Sequence, residues 1–109
     1  MDAFDISELF NQQEQTARSY LEFLRADSLS LGVYRLRAGA HDPQQPHGED
    51  EVYYVASGRG HVRVGAEDRE VATGAIIFVK AGVEHRFHSI TEELLLLVFF
   101  APPEYSSTK

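Results

Sequence analysis

The chain has 109 residues, 43% of them hydrophobic and 25% charged, which suits one folded domain and argues against disorder. The absence of cysteine excludes a disulfide framework, a thiolate metal site, an iron–sulfur cluster and a cysteine nucleophile together. Ten Lys and Arg against seventeen Asp and Glu give a net charge of −7, a field that repels phosphate backbones, so no nucleic-acid partner is expected.

The first fifteen residues have a helical pattern, with Asp5 and Glu8 at capping-box spacing and Phe4 and Leu9 placed as a hydrophobic staple. From Ser19 the pattern changes to short strands: Tyr20–Leu24, Ser30–Leu36, Glu51–Val55, His61–Val64, Glu70–Ala72, Ala75–Val79, Arg86–His88 and Leu94–Phe100. Most are rich in Val, Ile, Leu, Tyr and Phe, and Gly, Asp or Pro clusters separate them. Many short strands at this spacing predict an all-β sandwich or barrel. The V-x-V of Val62–Val64 and the run Ile76–Val79 read as buried interior strands. Leu94–Phe100 is apolar on both faces, so one face fills the barrel and the other meets a second sheet or a second subunit; a homodimer is expected. The two prolines at 102 and 103 end the last strand, and the tail is expected to fray. The domain plan is an arm over 1–17, a barrel over 18–101 and a tail over 102–109. The longest apolar run, Leu94–Ala101, is far short of the about 20 residues of a membrane span. The acidic start MDAFDISEL lacks a signal peptide's basic region. A soluble cytoplasmic protein with no membrane contact is expected.

The chemistry-bearing residues are the five histidines, at 41, 47, 61, 85 and 88. Gln45 and His47 share a face of an extended chain, and Glu51 follows His47 by four. An imidazole and a carboxylate can therefore converge, as a divalent first-row metal requires. Further on, His85 opens a strand after a turn on Lys80-Ala81-Gly82. Phe87 shares its face and His88 points away. His41 reads as a solvated loop residue and His61 as a surface residue, with Glu49 and Asp50 as solvated charges. Tyr53 and Phe87 read as core or as pocket walls. Arg35 and Arg37 would bind a substrate carboxylate if their face points inward.

Two segments carry a family resemblance. Gly39, Gln45-Pro46-His47, Glu51 and Gly58 keep every interval of the first motif of the cupin superfamily. Gly74, Lys80-Ala81-Gly82, His85 and Ser89 keep those of the second. The chain thus resembles the small single-domain cupins, with Gln45 in place of the first motif histidine, Lys80 in place of a proline and Ser89 in place of an asparagine. The resemblance implies a cupin-type jelly-roll barrel preceded by a short helical arm. It implies one divalent metal (Fe, Zn, Mn or Ni) on His47, Glu51 and His85, with Gln45 adjacent or ligating. It also implies dioxygenase chemistry first, and isomerase or lyase chemistry next, on a small organic molecule. The rival expectation is a non-catalytic module that binds a small molecule or regulates.

Overall fold

The structure is a computed structural model that describes residues 1–43 and 46–106. Among these residues one helix, α1 (Ile6–Glu14), precedes six strands: β1 (Tyr20–Arg25), β2 (Ser30–Leu36), β3 (Asp50–Val64), β4 (Glu67–Ala72), β5 (Ile76–Val79) and β6 (His85–Ala101). All pairings are antiparallel, in the order β1-β2-β6-β3-β4, with β5 on the other edge of the first half of β3.

Two pairs of segments read as separate strands are in fact continuous. Glu51–Val55 and His61–Val64 are the ends of β3, and Arg86–His88 and Leu94–Phe100 belong to β6. The glycines that suggested a break instead mark irregularities in register between Val55 and His61, where bulges bend a strand without ending it. Gly58 sits at φ 110°, and a Cβ there would lie 2.1 Å from the carbonyl oxygen of Glu93. The first half of β3 thus pairs with β5 and the end of β6, and the second half with β4 and the start of β6.

Alternation along these strands fills the barrel. Tyr34, Leu36, Tyr53, Val55, Val62, Val71, Ile77, Val79, Phe87, Ile90, Leu94, Leu96, Val98 and Phe100 form one buried cluster. β5 is an edge rather than an interior strand: Ile77 and Val79 point in, whereas Ile76 and Phe78 are exposed. Outside the barrel, α1 lays Leu9 and Phe10 on Val33, with Leu21, Phe23, Leu95 and Leu97 around them. Asp5 occupies the N-cap position but makes no side-chain cap bond, so packing rather than capping holds the helix. Arg35 and Arg37 also lie on this outer side. Arg35 pairs with Glu14 and Glu93 at 2.9 Å each, and Arg37 with the same two carboxylates at 2.9 and 3.1 Å. They fasten the helix to the sheet, each guanidinium paired to carboxylates, and both residues also border the cavity that reaches the barrel mouth.

At the barrel mouth β1 lays the Tyr20 ring across β2. A Cβ on Gly32 would meet the Tyr20 ring and hydroxyl at 2.2 Å, so that position must be glycine for the ring to lie there. The tail after β6 does not fray over its described part: Pro103 is buried and Glu104 is hydrogen-bonded at both backbone groups.

Replacing Gly58 with alanine should cost at least about 2 kcal/mol in urea denaturation, because both the dihedral and the Glu93 carbonyl oppose a side chain. Gly74→Ala, with φ 97° but nothing within 4 Å of its Cβ, should cost about 1 kcal/mol.

Candidate metal centre

Three of the singled-out residues meet at the barrel mouth. Glu51 is the inward residue at the start of β3, His85 the first residue of β6, and His47 lies in the loop before β3. Each offers a ligand atom within 4.8 Å of the other two. Glu51 is 2% exposed and His85 6%, so both sit under the core aromatics. The fourth expected residue, Gln45, lies outside the described residues.

The geometry around His85 identifies its free nitrogen. Its Nδ1 lies 2.9 Å from the carbonyl oxygen of Val83, which can only accept, so Nδ1 carries a proton. The turn responsible closes through the Val83 N–H on Lys80 O at 3.1 Å. The other nitrogen, Nε2, lies 3.1 Å from Glu51 Oε1, yet neither atom is in hydrogen-bond geometry with any described partner. A buried lone pair facing a buried carboxylate is unfavourable unless a cation sits with them, either a proton on Nε2 or a metal ion. Burial acts to depress the His85 pKa, but the Glu51 carboxylate, the Val83 carbonyl and Asp42 outweigh it, and the imidazole is raised above its ordinary value. Two imidazoles and one carboxylate, with room on one side, fit a divalent first-row ion.

The room is a cavity of about 1120 Å³ that opens at this end of the barrel. Its lining includes Tyr20, Tyr34, Tyr53, Phe100, Glu104 and Tyr105 beside His47 and Glu51. A family model for the cupin domain matches residues 32–100, which is well over half of the chain. The chain belongs to the cupin family. It is 48% identical over 104 residues to an uncharacterized protein of Streptomyces coelicolor, covering 95% of this chain and 99% of that one. A crystal structure from Thermus thermophilus superposes with a TM-score of 0.73 at 28% identity, over 94% of this chain and 99% of the other. The fold is also shared with a DMSP lyase from Ruegeria pomeroyi, at a TM-score of 0.68 and 24% identity, over 77% of this chain and 42% of the lyase. Cupins commonly bind a metal, and this cupin holds a His–Glu–His cluster at the position of the motifs. No helix among the described residues is long and apolar enough to cross a membrane.

The remaining histidines lie elsewhere. His41 is exposed at the cavity rim. His61 and His88 are direct cross-strand partners on the barrel's outside, with rings stacked 5.4 Å apart, and His88 Nε2 contacts Asp68 at 2.8 Å. His61 is therefore half-buried rather than a bare surface residue.

Sequence reasoning missed three acidic groups near the mouth. Asp42 is 1% exposed, accepts the Tyr34 hydroxyl at 2.7 Å and the Phe87 N–H at 2.9 Å, and so anchors the loop that delivers His47. Glu49, expected to be solvated, is 2% exposed, and its charge acts on Glu104 and Tyr105. Burial pushes the Glu104 carboxyl up to about 7; a hydrogen bond from Tyr105 opposes this, and Glu51, Glu22 and Glu49 add to it. None of these groups carries periodicity or motif spacing. The Asp-Pro step at 42–43 is the one local hint, since Asp before Pro commonly anchors a turn.

Because the folded His85 pKa is raised, the His85–Glu51 attraction stabilises chelator-treated protein below the ordinary imidazole range. It is lost as pH climbs past the raised value. Glu51→Gln should therefore lower the His85 titration midpoint, followed by NMR of its ring protons with chelator present. An unmoved midpoint would show that the carboxylate is not the cause.

Proposed function

We propose that this cupin is a metal-dependent enzyme acting on a small organic molecule in the barrel mouth, with His47, Glu51 and His85 as ligands of one divalent ion and Gln45 beside them. The observation that carries this reading is the pair of buried, facing acceptor atoms on His85 and Glu51, 3.1 Å apart at a cavity of about 1120 Å³. A bound iron, zinc, manganese or nickel ion would supply Lewis acidity and open positions for oxygen or a chelating substrate. The protein's own part is orientation and exclusion of water. The Val83 carbonyl holds the proton on His85 Nδ1. Tyr53 and Phe87, 0% and 1% exposed and packed edge-to-face, close the floor behind it. Phe100 packs edge-on against His47, ring to ring at 4.9 Å. The chemistry is oxygen-dependent cleavage or, as the lyase among the fold neighbours encourages, elimination or isomerisation.

The homodimer expected from the sequence also has a surface that supports it. Two cross-strand rows run over the outer face, Leu31–Phe99–Val52–Phe78 and Val33–Leu97–Tyr54–Ile76. α1 covers one end, and Tyr54, Ile76 and Phe78 at the other are exposed. Neither row holds a charge. At a net charge of −7, an uncharged patch is where two identical copies can meet with least repulsion.

Elemental analysis of protein purified without tag or chelator should find close to one divalent ion per chain, lost in His47→Ala and in His85→Ala. Iron would direct assays to oxygen uptake, and zinc, manganese or nickel to lyase and isomerase substrates. Full occupancy in both variants would sink the assignment, and failure of the wild type to take up any of these ions on reconstitution would leave a ligand-binding module instead. By light scattering, wild type should be dimeric and a Phe78→Ser, Ile76→Ser double variant monomeric.

A further inference from the structure

Of the three clustered residues, His47 has the least support from its own element. Glu51 and His85 stand on strands, whereas His47 sits in a loop. The loop is tied at this point through its backbone, where the His47 carbonyl accepts the Gly82 N–H at 2.7 Å. That bond fixes where the residue is but leaves its ring to other contacts. Besides the His85 ring at 5.9 Å, what surrounds the ring comes from the other end of the chain. Phe100 meets it edge-on at 4.9 Å, Tyr105 lies 6.1 Å away, and Glu104 Oε2 lies 3.9 Å from Nδ1.

Glu104 is held there from both sides. Its N–H donates to Ser30 Oγ at 3.0 Å, and its carbonyl accepts from the Arg25 guanidinium at 2.7 Å. Both backbone groups are thus tied, one to β2 and one to β1, and the buried Pro103 precedes them. With the backbone secured, the side chain, 13% exposed, lies against His47 and lines the cavity. The Glu104 carboxylate is not within ligand distance of all three clustered residues, which form a group without it.

A ligating imidazole needs its second nitrogen to hold a proton against an acceptor, which sets the tautomer and the ring plane. His85 has that acceptor in Val83 O. We propose that Glu104 is the corresponding positioning residue for His47. Its carboxylate accepts the Nδ1–H of His47 and thereby presents Nε2 toward Glu51 and His85. The remaining gap of about 1 Å to hydrogen-bond length closes by side-chain rotation, since the backbone on both sides is anchored. The three-residue centre thus takes its second imidazole's orientation from a strap 57 residues away, Glu104 minus His47.

This inference rests on His47 being a ligand, and the test separates the two. Zinc affinity is measured by competition with a chromophoric chelator for wild type, Glu104→Ala, Glu104→Gln and His47→Ala. The nitrogen shifts of His47 are read by NMR in the zinc-loaded protein, and thermal unfolding in chelator checks the fold. Glu104→Ala should weaken zinc binding by about 10- to 100-fold, and Glu104→Gln should restore part of it, because its amide oxygen still accepts. Wild-type His47 should carry its proton on Nδ1. Glu104→Ala binding within twofold of wild type, while His47→Ala loses zinc, overturns this inference and leaves the centre standing. A proton on Nε2 with zinc on Nδ1 overturns it equally. Wild-type affinity in His47→Ala removes the centre and the inference together. Should the alanine variant fail to fold, the glutamine variant and the tautomer decide in the same way.

Discussion

The site exists because β3 and β6 bend together. His85 pairs with Val64 at the far end of β3, thirteen residues from Glu51, a separation of about 43 Å along a straight strand. In the folded protein their side chains are 3.1 Å apart. The whole molecule measures 35 × 31 × 25 Å, so a straight β3 of fifteen residues would exceed its longest dimension. Closure of the barrel at the register irregularities near Gly58 and Gly60 is therefore what brings one end of the hairpin back onto the other. The His–Glu–His cluster at the mouth and the packing in the core are consequences of a single curvature.

That curvature explains which features the sequence shows plainly. Alternation in Glu51–Val55 is local, and so the inward face of Glu51, Tyr53 and Val55 is readable, as is that of Phe87 with His85, whereas Leu94–Phe100 is apolar on both faces and shows none. The motif intervals carry the rest of the cluster, because they fix how many residues separate a turn from a strand. Continuity is not readable. Gly58 and Gly60 look like turn residues, and only the carbonyl of Glu93 against Gly58 shows that the chain bends there without stopping. Ile76 and Phe78 mislead in the opposite sense: an unbroken apolar run reads as buried on both sides, yet β5 has one neighbour and exposes half of its side chains.

The acidic groups illustrate a different blindness. Asp42 and Glu49 are buried and Glu104 half-buried in a fold that joins distant parts of the sequence, as the Asp42 bond to the Phe87 N–H does. Charge runs and loop positions predict solvation on average. Glu49 departs from that average near the docked tail, whose Glu104 and Tyr105 feel its charge. The tail departs from expectation for a plain reason. Prolines do end the β6 ladder at Ala101, but an ended ladder is free to dock elsewhere, and bonds from Arg25 and to Ser30 give it a place.

The packing of Tyr20 on Gly32 has a wider meaning for how such a barrel can diversify. The rim of the cavity is shaped there by a missing side chain rather than by a large one. Any group larger than hydrogen at that position would displace the phenol and redraw the entrance, while Glu51 and His85 stand on β3 and β6. The shape of the entrance and the identity of the clustered side chains are in this way encoded by separate residues. A single-position change can reshape the entrance without touching the cluster.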